Sequence, residues 1–119
     1  MKEVVKDVMM SDPYPDDLVR DRLQAAAFRR LLLHLAQRSD VQNVDLMGIG
    51  GFCRNCLGDW LHEAAVEQGA DIDHAAARTA VYGMHQSDWK ARYQTEATPK
   101  QLARMAGSLE RNKLARGEA

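Results

Sequence analysis

The sequence predicts an all-α fold, a compact bundle of roughly four to six helices with no sheet. Three observations carry this expectation. Apolar residues recur at helical spacing over several long stretches. Helix start signals stand in front of two of them, Asp73 before His74 and Thr98-Pro99-Lys100-Gln101 before Leu102. No alternating β-branched run is long enough to propose a strand. At 119 residues one domain is expected, covering residues 16–105, behind a flexible N-terminal arm at 1–15 and ahead of a helix end and polar tail at 106–119.

The arm ends in Asp12-Pro13-Tyr14-Pro15, where two prolines oppose any helix running through them. From Asp16 to Ser39 the chain is rich in strong helix formers, with acids in the first turn and bases near the end, so a long helix is expected. Ala25, Phe28, Leu31, Leu32 and Leu35 make one apolar stripe on it. Leu23, Ala27 and Leu33 widen that stripe, which makes this the expected central helix with more than one neighbour. Asp40 is placed to cap a short turn over Val41 to Met47, and Gly48, Gly50 and Gly51 are expected to stop any helix there.

A second strong helix is expected from about Phe52 to Gln68, ended by Gly69, with Cys53, Cys56, Leu57, Trp60, Leu61, Ala64 and Ala65 on its buried stripe. Asp73 caps a helix from His74 to Met84. Ile72 and Ala77 are spaced as a hydrophobic staple there, and Ala77, Ala80, Val81 and Met84 face inward. Ser87 is expected to cap a short helix carrying Asp88 to Tyr93. Thr98, Pro99 and Gln101 then supply the N-cap, first-turn proline and third-position glutamine of a capping box, opening a helix that reaches about Leu114 through Leu102, Met105 and Leu109. The expected core is Phe28, Leu32, Leu35, Leu57, Trp60, Leu61, Val81 and Trp89.

Composition narrows the classes of partner. Sixteen Lys and Arg against seventeen Asp and Glu leave no basic block able to neutralise a run of phosphates, so no nucleic-acid partner is expected. No window approaches a membrane span, and the charged N-terminus lacks the apolar core of a signal peptide, so no membrane is expected and the expected location is cytoplasmic. In such a reducing compartment a permanent disulfide is disfavoured.

The central stretch resembles the small bacterial family catalogued as domain of unknown function 1244. The resemblance rests on Phe28-Arg29-Arg30-Leu31, Asp40-Val41-Gln42-Asn43-Val44-Asp45-Leu46-Met47, Gly51-Phe52-Cys53-Arg54-Asn55-Cys56-Leu57 with Trp60, Val81-Tyr82-Gly83-Met84, Trp89-Lys90 and Tyr93-Gln94-Thr95-Glu96-Ala97-Thr98-Pro99. It spans roughly Ala25 to Gln101. It implies a compact helical fold in a bacterial cytoplasm, and no established activity.

The chemistry of interest sits in Cys53 and Cys56, the only cysteines of the chain. At the start of a helix, free N–H groups and the dipole favour thiolate, the form that binds metals and attacks disulfides. A zinc site wants four ligands, and one C-x-x-C supplies two. At about 100° per residue His62 lies on the far side of the same helix from Cys53, which leaves His85, His74 and His34 as candidate further ligands. Alternatively, a symmetric homodimer pools two cysteine pairs around one zinc ion. A redox role for Cys53 and Cys56 is the second reading, although Trp60 stands where an activating histidine would follow Cys56. In the third reading the thiols are small core hydrophobes beside Leu57 and Trp60, and Arg54 and Asn55 cap the Asp40 to Met47 turn. Asp40, Asn43 and Asp45 suit local capping better than a cation loop. Trp60, Trp89, Tyr82 and Tyr93 are expected mainly as core anchors. No catalytic residue is assigned outside the redox alternative. The favoured function is a non-catalytic helical module that acts through a protein partner or through self-association.

Overall fold

The structure, a computed structural model, describes residues 12–117, so residues 1–11 of the expected arm and 118–119 of the expected tail lie outside it. The described residues form six α-helices and no strand: α1 Asp17–Gln37, α2 Asn43–Gly50, α3 Arg54–Glu67, α4 His74–Tyr82, α5 Gln86–Tyr93 and α6 Pro99–Ala115. The all-α expectation holds. The chain divides into one unit ending at Leu33 and a second beginning at His34.

In the first unit Asp16 accepts the backbone N–H of Val19 at 2.9 Å, which caps the start of α1. Arg20 then pairs with Asp17 and Asp21 on the exposed side. Along all of α1 only Leu35 is buried. Phe28, Leu31 and Leu32 are half-buried, whereas Leu23, Ala25, Ala27 and Leu33 are exposed. The widened stripe of a central helix is therefore corrected. At about 100° per residue Phe28, Leu31, Leu32 and Leu35 share an arc of about 100°, and Leu23 and Leu33 fall outside it.

The second unit is built from helix pairs. α2 packs on α6, α3 packs on α4, and α4 meets α5. Its core consists of Leu57, Ala65, Ala77, Val81, Tyr82 and Trp89, with Cys53 and Leu35. Trp60, expected in that core, is 42% exposed and stacks on Phe52 with ring centroids 6.2 Å apart. The buried arc of α3 runs from Leu57 round to Gly58, and Trp60 lies about 60° beyond its other edge. Gly58 determines that facing. A Cβ there would stand 3.1 Å from the Arg78 backbone Cα, so only glycine lets α4 come this close. Ala80, expected inward on α4, is exposed, and Leu61 is half-buried.

The helix limits follow their caps. Asp73 accepts from Ala76 N at 2.7 Å and opens α4, which ends at Tyr82 because Gly83 takes φ 74°. The Thr98 capping box is complete, with Gln101 N donating to Thr98 Oγ1 at 3.1 Å and Thr98 N to Gln101 Oε1 at 2.8 Å. Gln42 rather than Asp40 occupies the N-cap of α2, since Asp40 is drawn to Arg38 by a two-pronged ion pair at 2.9 Å. α2 runs through Gly48 to Gly50, and only Gly51, at φ 74°, stops it. Asn112 of α6 donates to the Gly51 carbonyl at 2.8 Å, which ties the last helix to this turn. His85, not Ser87, holds the N-cap position of α5.

Candidate functional site

α3 begins at Arg54, so Cys53 is its N-cap and Cys56 its third residue. Cys53 is extended at φ −143° and 5% exposed, and Cys56 is half-buried. Their sulfurs stand 4.0 Å apart as free thiols. Burial pushes the Cys56 thiol above its ordinary range. The Cys53 backbone N–H pulls it back down, and the neighbouring thiol and Asp59 add to the rise. The expected thiolate-favouring effect of the helix start is thus outweighed at Cys56, because desolvation acts against the charged form more strongly than one N–H donor favours it.

Between the two cysteines, Arg54 is turned into the core at 2% exposure. Its guanidinium donates to the carbonyls of Val41 at 2.7 Å, Arg38 at 2.9 Å and Leu35 at 3.4 Å, and to Asn43 Oδ1 at 3.0 Å. Its carbon lies 4.6 Å from the Trp89 ring centroid. The carbonyls at the end of α1 carry the negative end of the helix dipole, which offsets the buried charge without a carboxylate in contact. Asn43 also donates to the Tyr82 hydroxyl at 3.0 Å, and that hydroxyl donates to Asn55 Oδ1 at 2.6 Å. Gln86 donates to the same Asn55 oxygen at 3.0 Å. Burial pushes the Tyr82 hydroxyl above its usual range. Arg54 therefore ties down the region before α2 through the Leu35, Arg38 and Val41 carbonyls and Asn43, whereas Asn55 bonds to Tyr82 and Gln86 of α4 and α5 and not to that region.

Asn43 and Asn55 of this network, with Cys53, also line a cleft of about 450 Å³. Val44, Met47, Leu102 and Met105 give it an apolar floor from α2 and α6, and Cys53, Asn43 and Asn55 close its inner side. Lys90 and Glu96 stand on its rim, both exposed. Gln42 fixes one wall, donating to the Tyr93 carbonyl at 2.9 Å and accepting from Thr95 N at 3.0 Å. Among the described residues no buried side-chain nitrogen or oxygen lacks a partner.

The candidate histidines do not join the thiols by any hydrogen bond. His74 meets Asp59 and packs at a tilt against His62, with ring centroids 5.2 Å apart. His62 in turn contacts the Ile72 carbonyl at 3.1 Å. His85 is exposed at the start of α5, and His34 is exposed on α1. No group of three or more His, Cys, Asp and Glu side chains gathers as a metal site among the described residues. Arg78 donates to Asp59 at 3.0 and 3.3 Å and to Gln86 at 3.0 Å. Burial alone would raise the Asp59 carboxyl, but hydrogen bonds from His74 and Arg78 hold it below its ordinary range. Sequence reasoning missed this Asp59–Arg78–Gln86–Asn55 chain. Its one sequence signal was the pair of polar residues inside the C-x-x-C.

No curated protein matches the chain, but the model of the family described as "Protein of unknown function (DUF1244)" matches residues 41–107. That interval holds α2 to α5, the start of α6, both cysteines and every residue that lines the cleft. The chain therefore belongs to the DUF1244 family.

Proposed function

We propose that this protein is a non-catalytic helical module that binds a peptide segment of a protein partner in the cleft beside Cys53. The observation that carries the reading is the cleft itself, with its apolar floor of Val44, Met47, Leu102 and Met105 between the rim charges Lys90 and Glu96. Such a lining fits an apolar side chain flanked by charges of both signs. The walls are already fixed by the Arg54 and Tyr82 networks, so little ordering entropy opposes docking. Neither thiol is hydrogen-bonded to a base, and Cys56 is held towards its neutral form, which supports binding rather than catalysis.

The test is a paired capture experiment with wild type and Leu102→Glu. Leu102 is 47% exposed on the cleft floor, so the variant should keep its fold by circular dichroism. Partner proteins held by wild type and released by Leu102→Glu are the expected result. Identical retention by both proteins counts against the cleft. Turnover in a peroxide or disulfide reductase assay that disappears with Cys53→Ser overturns the non-catalytic reading.

Self-association is a second reading, supported by Leu18, Leu23 and Leu33, which are 60%, 54% and 59% exposed on α1. Light scattering at micromolar concentration tests it. Mass rising with concentration supports a homodimer, and a strict monomer removes it.

A further inference from the structure

Cys53 and Cys56 lie at the junction of an extended residue and a helix, and this placement has a chemical consequence separate from binding. Their sulfurs are 4.0 Å apart, and a disulfide needs about 2.05 Å. The two sulfurs must close the remaining gap for the bond to form. Cys53 precedes α3 and has no side-chain bond to a helix N–H, so its sulfur can turn without breaking a cap. The thiols also differ in access, since Cys56 is half-buried and Cys53 is 5% exposed. A reagent approaching from outside the cleft therefore meets Cys56 first, while Cys53 faces the cleft.

We infer that Cys53 and Cys56 form a thiol–disulfide exchange site, modified by low-molecular-weight disulfides, with Cys56 as the entry thiol and Cys53 as the resolving thiol. In the first step the Cys56 thiol, which burial holds towards its neutral form, loses its proton to solvent, and the resulting thiolate attacks one sulfur of the reagent. A mixed disulfide forms, and the reagent's S–S bond breaks to release one small thiolate. In the second step the Cys53 thiolate attacks Cys56 Sγ, closing the Cys53–Cys56 bond and releasing the second small thiolate. The protein pair loses two electrons and the reagent gains them, while the two protein thiol protons end on the two released thiols. This is a stoichiometric modification, distinct from turnover, and it is assayed on the chain without a partner peptide, because Cys53 also lines the cleft.

Mass spectrometry of the full folded chain, incubated with glutathione disulfide and quenched by alkylation, tests the assignment. Wild type should end as an intramolecular disulfide with no retained adduct. Cys53→Ser should stop at a stable mixed disulfide on Cys56, and Cys56→Ser should react at least about tenfold more slowly, because its remaining thiol is buried. Cys53→Ala replaces Cys53→Ser if serine at this buried position lowers the melting temperature. The assignment is overturned if folded wild type stays reduced in excess reagent, if it accumulates the mixed disulfide without closing, or if Cys56→Ser reacts as fast as wild type. Such a failure leaves the capture experiment with Leu102→Glu unaffected, so the two readings fail separately.

Discussion

Arg54 brings a full charge to 2% exposure with only carbonyls, one amide oxygen and the Trp89 face around it. Burial pulls its ionisation below the ordinary arginine value, yet arginine starts so high that the group stays charged. The arrangement is costly to break because the guanidinium serves Val41, Arg38, Leu35 and Asn43 at once. Arg54→Ala strands the Val41 carbonyl and removes one partner from the others, which should cost about 3–5 kcal/mol in urea unfolding. Arg54→Lys should recover only part of this, since one ammonium cannot reproduce a planar fork of donors. A loss below about 1 kcal/mol for Arg54→Ala would show that the carbonyls find water instead, and the account of this core would fail. An arginine between two cysteines reads in the sequence as a cap for the Asp40 to Met47 turn, but not as a buried charge. Its partners here are mainly backbone carbonyls, which carry no signature in the amino-acid order.

At the level of helices, the starts of α4 and α6 were legible, those of α2 and α5 were displaced to Gln42 and His85, and the seams were not legible. A cap is a matter of three or four neighbouring residues, so Asp73 and the Thr98–Gln101 box could be read directly. The seam between α3 and α4 depends on Gly58 meeting Arg78 of the next helix, and that facing moved Trp60 out of the core. Gly58→Ala tests the seam cleanly. Alanine favours an isolated helix by about 1 kcal/mol, but here the added methyl meets Arg78 backbone at 3.1 Å. A net loss of about 1–3 kcal/mol is therefore expected, and a gain in stability would mean that α4 shifts freely. Asp59 adds an electrostatic element to the same seam. Its folded carboxyl titrates lower than the unfolded value, for which the ordinary value is 3.8. That stability is therefore present above the unfolded value and lost as pH falls through the folded one. Wild type should lose melting temperature on acidification below the ordinary carboxylate range, and Asp59→Asn should flatten that part of the profile. Parallel profiles for the two proteins would remove Asp59 from the account.

At the scale of the whole molecule, the open question is whether the cysteine pair draws on a second chain. A zinc ion shared by four thiolates would place a two-fold axis at the start of α3. Cys56 is half-buried and accessible from outside, but Cys53 is 5% exposed and turned towards the cleft. For both sulfurs to reach one intermolecular ion, the buried Cys53 would have to turn out of the cleft, next to an Arg54 that the carbonyls hold in place. Binding energy at a structural zinc is largely folding energy, so such a site would have to repay that disruption before it stabilised anything. Protein purified without chelator is therefore expected to carry zinc well below one ion per two chains, with both its melting temperature and its light-scattering mass unchanged by a strong chelator. One ion per two chains, lost to chelator together with the dimer, would place the metal at the interface and replace the binding-module reading with a metal-assembled one. One ion per chain would instead require histidines such as His34, His74 or His85 to move to the thiols, and His74→Ala would then release zinc only if it gave up Asp59 to become a ligand.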